Sequence, residues 1–243
     1  MEIASGDLQV VARVVQLLRL LAGNETIDLV SAAEELGVGK STAHRYLASM
    51  ENHGLLRRRD RNRYEFGVLL AELGTLALSR LGIIDLAGPV LEDLGARLRH
   101  TVVLSVWNGT CPVVARVRED RSRTAHVSIA VGSQLGPNAA QTVVFWAFKD
   151  RSYYRFGEGA TPTTATEAEL ADVRETGVSV RQSQKDGISA VAVPVRDPAG
   201  QVVATLAVVD ITQFVPEGTD SPVAQALLAG AETISRRMAN PLD

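Results

Sequence analysis

Five arginines, Arg57, Arg58, Arg59, Arg61 and Arg63, fall within seven residues, and a second polar set, Lys40, Ser41, Thr42, His44 and Arg45, lies shortly before them. From Lys40 to Tyr64 there are seven Lys or Arg against two Asp or Glu, although the 243-residue chain carries a net charge of −3. Such a patch suits phosphate. Screening confines exposed charge contacts to about 8 Å, so a local excess of cations matters more than the global balance. Lys, Ser, Thr, His and Arg side chains grouped on one helix can also reach base edges in a DNA groove. Taken alone, the arginine run reads more simply as the solvated edge of a strand.

The elements around these residues favour DNA. Asp28 is a good N-cap for a short helix whose apolar face is Leu29, Ala32, Ala33 and Leu36, and Gly37 ends it as a left-handed residue. After Gly39 a second helix begins. Its Ala43, Leu47 and Met50 recur at i, i+4 and i+7, which turns Lys40, Ser41, His44 and Arg45 to the opposite side. Leu55-Leu56 then starts a strand, Asp60-Arg61-Asn62 makes a turn, and Tyr64-Glu65-Phe66 returns. Helix, tight turn, helix and two-stranded wing is the order of a winged helix-turn-helix, which lays its second helix in the major groove. Gly37 to Thr42 also looks like the end of a phosphate-binding loop. The glycine that such a loop needs is replaced by Glu34, however, and a helix precedes it instead of a buried strand.

On these residues the stretch resembles the DNA-binding domain of the IclR family of bacterial transcription regulators. The family pattern of a Gly-x-x-Lys-Ser-Thr-x-x-Arg helix matches Gly37 to Arg45, and its Arg-Tyr-x-Leu-Gly wing ending matches Arg63 to Gly67. Gly39 stands where the family carries proline, and Val10 where it carries a serine in a Ser-x-x-Arg motif ending at Arg13. The resemblance continues through Glu175 to Val178, Asp186 to Val195, Asp197 to Gly200 and Val202 to Ala204. It therefore implies a GAF-like effector-binding domain over most of the remaining chain.

The residues agree with a sheet flanked by helices. Ile188 to Val195 and Val202 to Val209 are β-branched apolar runs joined by a Pro-Ala-Gly turn. Residues 101–107, 113–118 and 124–131 read as three further strands, the first two turning at Asn108-Gly109. Helical periods cover 83–99, 138–149, 166–176 and 222–239. The expected fold class is α+β: a winged helix-turn-helix domain over 1–67, a linker helix over 68–82 and a GAF-like domain over 83–243.

What the resemblance implies for a ligand is a cleft in the GAF-like sheet. An acid is held there by backbone N–H groups at a helix start and by polar side chains on two late strands. The matching segment is Gly132 to Phe145, with Gln141 and Thr142 as candidate holders, since a helix N-terminus favours an anion. The family's Gly-Lys pair is Val143-Val144, its late-strand serines are Ala207 and Val209, and its glutamate four residues before Gly187 is Ser183. Val127, Ile129, Leu135, Ala190, Ala207 and Val209 would make the wall apolar, with Trp107 as a surface for stacking. A cleft of that kind points to an aromatic or branched organic acid more than to glyoxylate.

Two apolar stripes ask for cover. The linker carries Leu69, Leu73 and Leu76, with Leu70, Ala77 and Leu81 beside them, and the first helix carries Val11, Val14, Val15, Leu18 and Leu21. Packing within the chain is the plainer reading. A dimer seam is preferred here, because two-fold symmetric regulators read palindromic sites, as a homodimer or a dimer of dimers. Composition fits two packed domains, with 46% hydrophobic residues. No apolar run suits a membrane, no signal pattern opens the chain, and Cys111 is the single cysteine, so a cytoplasmic protein is expected. His44, His53, His100 and His126 show no metal-ligand spacing, and Cys111 has no base beside it; neither a cofactor, a metal nor catalysis is expected. The expected function is a ligand-responsive repressor of a catabolic operon, with an activator as the alternative. A ligand-free DNA binder or an enzyme on a GAF-like scaffold explains less of the chain.

Overall fold

Leu17 and Leu21 bury one side of α1 (Gln9–Ala22) against the short helices that follow. The chain continues through β1 (Ile27–Asp28), α2 (Leu29–Leu36), α3 (Lys40–Asn52), β2 (Leu56–Arg58), β3 (Arg63–Phe66) and α4 (Val68–Leu81). The computed structural model describes residues 8–123, 126–152, 156, 159–216 and 218–239, without the side chains of 78–81. Two units divide at Arg80 and Leu81.

In the first unit the local signals act as expected. Asp28 caps α2: its Oδ1 accepts from the N–H groups of Val30 and Ser31 at 3.0 and 2.8 Å, and Ser31 Oγ accepts from Asp28 N–H at 3.0 Å. Gly37 closes α2 at φ 61°, and its N–H reaches back to the carbonyls of Ala33 and Glu34. Ala43, Leu47 and Met50 bury α3 in a core shared with Ala32, Leu36, Leu56 and Tyr64. The wing strands pair antiparallel, Leu56 opposite Phe66 and Arg58 opposite Tyr64. Ile27-Asp28 adds a third strand beside β3, which the sequence reading missed. The wing closes on a tight backbone contact. Gly67 N–H donates to Leu55 O at 2.9 Å, and a Cβ on Gly67 would lie 2.0 Å from the Gly54 carbonyl oxygen, so only glycine fits.

The second unit contains α5 (Ile83–Leu98), β4 (Thr101–Trp107), β5 (Pro112–Arg118), α6 (Ala140–Ala147), α7 (Glu167–Thr176), β6 (Ser179–Ser183), β7 (Ile188–Arg196), β8 (Val202–Ile211) and α8 (Pro222–Ala239). Its antiparallel sheet has the order β5-β4-β8-β7-β6. Alternation sorts the residues. Val102, Leu104, Val191, Val193, Leu206 and Val208 face α5 and α8, in a core with Leu91, Leu94, Leu227 and Ile234. Val103, Ser105, Trp107, Ala190, Ala192, Thr205, Ala207 and Val209 face the other way, where α6 and residues 126–135 cover them.

One expected strand does not form. Residues 126–131 are in no strand, and Thr124 and Ala125 lie outside the described residues. The alternation of Val127 and Ile129 is real, but it packs them onto Val103, Val114 and Val209 as a strap across the sheet face. Thr101 Oγ1 donates to the Val127 carbonyl at 2.8 Å and fixes the strap. Backbone bonding to β5 comes later, where Gly132 N–H donates to Val114 O, Val114 N–H to Ser133 O and Leu135 N–H to Pro112 O, around a bridge of Gln134 with Val113. The strand Ser179–Ser183 (β6) was also unexpected, since its Arg-Gln-Ser polarity hides an edge strand. In α1, Leu21 is part of its own unit's core and not of an outer stripe, whereas Val11 and Val15 are exposed. Leu73 and Leu76 of the linker stripe are half exposed; Leu81 lies outside the described side chains.

Two outcomes follow from the caps. Asp28→Ala removes the reciprocal cap of α2 and should cost about 0.5–2 kcal/mol, read as a lower urea midpoint. At α7, Glu169 accepts from Arg181 Nη1 at 2.6 Å and from Thr166 N–H at 2.7 Å. The arginine bond foremost, then the Thr166 backbone and hydroxyl bonds, pull its carboxyl from 4.5 down to about 2. A carboxyl that titrates lower folded than unfolded stabilises fully above pH 4.5, and that contribution is lost as pH falls towards 2. Glu169→Gln should therefore lower stability most above pH 4.5, and the two proteins should converge towards pH 2 in an acid titration of melting temperature. The Glu169 side chain is 44% exposed, so the gap should stay below ~1 kcal/mol.

Candidate nucleic-acid interface and ligand cleft

Burying Ala43, Leu47 and Met50 leaves Lys40, Ser41, His44 and Arg45 exposed on the outer side of α3, with Thr42 half-buried beside them. Tyr46 turns inward, where Arg13 Nη1 donates to its hydroxyl at 3.4 Å and the guanidinium lies 5.8 Å from its ring. The outer side of α3 is thus short and polar near the helix N-terminus. That shape suits a DNA groove.

The wing is basic but largely compensated. Arg57 pairs with Glu65 at 2.8 Å, Arg58 with Glu51 at 3.0 Å, Arg59 with Glu25 at 2.5 Å and Arg63 with Asp60 at 3.8 Å. The Arg59 hydrogen bond holds the Glu25 carboxyl below the usual range. Asp60 has a structural task as well. Its Oδ1 accepts from Asn62 and Arg63 N–H groups at 3.0 Å, which shapes the turn and keeps its carboxyl low. All five wing arginines are exposed. Exposed ion pairs are worth little, ~0–1 kcal/mol, so a phosphate can replace a carboxylate partner at small cost. No spacing rule in the sequence announces the pairs of Arg58 and Arg59, because Glu51 and Glu25 come from other elements, whereas Arg57 faces Glu65 across the hairpin and Arg63 meets Asp60 within its turn.

In the second unit, the residues expected to form a cleft come to one side of the sheet. Val127, Ile129, Leu135 and Ala190 pack with Val209 in one cluster, while Ala207 joins Trp107 and the buried side of α6 in a neighbouring one. Gln141 and Thr142 are buried in the first turn of α6, and Val143 and Val144 are core. The Thr142 hydroxyl donates to Gly136 O at 2.8 Å, which leaves it only acceptor capacity. Trp107 is less open than a free stacking surface: it is 2% exposed, stacked on Phe156 at 4.1 Å, and 5.5 Å from Phe145.

Beside the apolar wall, this face carries hydroxyls that the sequence reading did not single out. Ala207 and Val209 are apolar, but Ser105 and Thr205 stand directly opposite each other on the same face, and both hydroxyls are buried without a partner among the described residues. Trp107 Nε1 is in the same condition. Each such group costs ~1–3 kcal/mol unless something bonds it. Alternation offered the signal: Thr205 is two residues before Ala207, and Ser105 two before Trp107. At the rim, Arg181 pairs in register with Ala190; its Nη1 is held by Glu169 and its buried Nε lacks an acceptor.

A separate polar cluster lies at the end of β8. His100 Nδ1 is 2.6 Å from Asp210 Oδ2, Arg123 Nη1 is 3.2 Å from the same oxygen, and the Arg123 guanidinium covers Phe214 at 4.2 Å. Ser189 stands opposite Asp210, yet its hydroxyl bonds to nothing among the described residues, so no nucleophile is linked to His100. No group of three or more His, Cys, Asp or Glu among the described residues is placed to hold a metal. No helix there is long and apolar enough to cross a membrane.

Known proteins share both halves. Residues 10–60 match the IclR helix-turn-helix domain, and residues 75–236 match the C-terminal domain of bacterial IclR transcriptional regulators. The transcriptional regulator Rv1719 of Mycobacterium tuberculosis is 29% identical over 238 residues, covering 93% of this chain and 90% of that one. The DNA-binding transcriptional repressor YiaJ of Escherichia coli is 25% identical, with coverage of 86% and 80%. An IclR homologue from Microbacterium hydrocarbonoxydans, solved with 4-hydroxybenzoate, superposes with a TM-score of 0.73 at 22% identity, covering 95% of this chain and 99% of that one. A polar recognition helix and arginine wing, joined in one chain to an α+β domain, thus match relatives along nearly their whole length. The chain is a transcriptional regulator of the IclR family that carries a helix-turn-helix DNA-binding domain.

Proposed function

We propose that this regulator is a homodimeric repressor of a catabolic operon that an organic acid releases from its operator. The observation that carries the reading is the pairing of an exposed basic wing with a sensor sheet whose buried polar atoms await a partner. In the DNA-bound form, Lys40, Ser41, Thr42, His44 and Arg45 face the major groove, and Arg57, Arg58, Arg59, Arg61 and Arg63 contact phosphates or the minor groove. Repression is the sign that the YiaJ name records for one relative.

The effector is an aromatic or branched acid. Its carboxylate meets the backbone N–H groups of Gln141 and Thr142 in the first turn of α6, and its apolar body lies against Val127, Ile129, Leu135, Ala190, Ala207 and Val209. The 4-hydroxybenzoate bound by the Microbacterium homologue supports an acid of that size. The two-fold partner covers the apolar side chains that α1 and α4 leave in solvent, among them Val11, Val15, Val68 and Leu73.

A gel shift on the promoter of the neighbouring operon, with a panel of small acids, tests the reading as a whole: one acid should release the DNA. Arg45→Ala should cost ~1–3 kcal/mol on the cognate site and much less on random DNA, if it reads a guanine. Arg59→Ala with Arg61→Ala should weaken binding to both DNAs alike and flatten the salt slope by about 1 per lost phosphate contact. Glu25→Gln with Glu65→Gln should do the reverse, strengthening binding to random DNA most. Leu73→Asp should shift the protein to monomer in sedimentation velocity and weaken operator binding, with the melting temperature of the first unit preserved.

A further inference from the structure

Ser105 Oγ, Thr205 Oγ1 and Trp107 Nε1 are the three buried polar atoms on the α6 face of the sheet that most need an explanation, since none has a partner among the described residues. Their positions are linked. Ser105 and Thr205 are cross-strand neighbours, about 5 Å apart at Cβ by strand geometry, and Trp107 follows Ser105 by two residues, about 7 Å along the same side of β4. The pairing of β4 with β5 shifts register at Leu104/Ser105, a bulge of the kind that re-aims a side chain. Around the three atoms the surface is apolar: Val103 and Val114 on one side, Ala192 and Ala207 on the other, Phe145 from α6.

The chemistry of the three atoms restricts what can fill the patch. An indole N–H only donates, whereas a hydroxyl donates or accepts. One group that satisfies all three must therefore accept, which excludes an ammonium, a methyl group and a bare ring edge. No Lys or Arg belongs to the patch, so a full negative charge placed there would be desolvated without a counter-ion. A neutral oxygen fits: a hydroxyl or a carbonyl.

We propose that the effector carries, besides its acid group, a second and neutral oxygen function, received by Trp107 Nε1, Ser105 Oγ and Thr205 Oγ1. This rests on reading the α6 face as the effector cleft, and it refines the ligand class from an aromatic or branched acid to a hydroxylated or oxo-substituted one. The patch also acts as a specificity filter. A ligand that fills the same volume with a methyl group leaves three buried polar atoms unpaired, and such sites discriminate strongly against analogues that lack the hydrogen-bonding group.

Calorimetry on the full chain with two shape-matched pairs tests this: 4-hydroxybenzoate against 4-methylbenzoate, and 4-hydroxy-4-methylpentanoate against 4,4-dimethylpentanoate. In at least one pair the hydroxylated acid should bind about tenfold or more tightly. That ratio should collapse to near unity in Ser105→Ala/Thr205→Val and shrink in Trp107→Phe, which keeps a ring and removes the N–H. Because the readout is a ratio within one protein, partial loss of fold does not mimic it. The ligand-free Ser105→Ala/Thr205→Val protein should melt no lower than wild type, since it loses only unpaired groups. A clear drop in its melting temperature would mean that the hydroxyls hold a structural water, and would overturn the proposal. Equal affinity within both pairs overturns it while leaving the organic-acid reading intact; failure of all four acids to bind overturns that reading as well.

Discussion

Strand β8 is hydrogen-bonded on both sides, to β4 and to β7, and buried on both faces. A strand in that position must be apolar towards two different cores, and its register decides which residues meet on each. Leu206 and Val208 supply the core under α5 and α8, while Thr205, Ala207 and Val209 supply the floor under α6 and the 126–135 strap. A slip of one residue would exchange the two sets, so the packed core on one face fixes the polar atoms on the other. The polar chemistry buried on the α6 face of the second unit is in this sense a consequence of its hydrophobic packing.

The same division of labour recurs in the first unit. Ala43, Leu47 and Met50 hold α3 in place, and the residues that face outward follow from that burial. Backbone contacts then set the wing angle: the Gly67–Leu55 hydrogen bond and the absence of room for a Cβ at Gly67 bring the end of β3 against the turn after α3. Rigid placement matters for DNA because the helix and the wing must meet the same duplex in one register. The wing's charge, by contrast, is buffered by Glu25, Glu51, Glu65 and Asp60, so that its cations are held in position by weak and exchangeable partners.

Both units therefore join a locally capped frame to a polar surface, at opposite stability costs. In the second unit that surface is buried, which makes unpaired atoms expensive. On the wing it is exposed, which makes ion pairs cheap and any phosphate contact salt-sensitive. The His100–Asp210–Arg123 cluster belongs to the frame: it ties the start of β4 and residue 123, just before the strap, to the end of β8.

Much of this was legible in the amino-acid order. Caps and glycine turns act over three or four residues, so Asp28, Gly37 and the Asp60 turn could be placed from local pattern alone, and alternation over 188–195 and 202–209 gave the central hairpin. Lys40 to Arg63 named nucleic acid as the partner, because charge density is a property of sequence. Three things were decided only by tertiary structure. The 126–131 segment has the pattern of a strand yet packs as a strap, since alternation describes a face to bury and not the edge to which a backbone bonds. Arg59 finds Glu25 and Arg58 finds Glu51 through the arrangement of the first unit, at separations with no periodic signature. Ser105 meets Thr205 across one hundred residues of chain because β4 and β8 happen to be neighbours in one particular register. Local order specifies conformations through short-range sterics and hydrogen bonds, whereas the partner of a side chain depends on strand order and register, which emerge only when the whole core is packed.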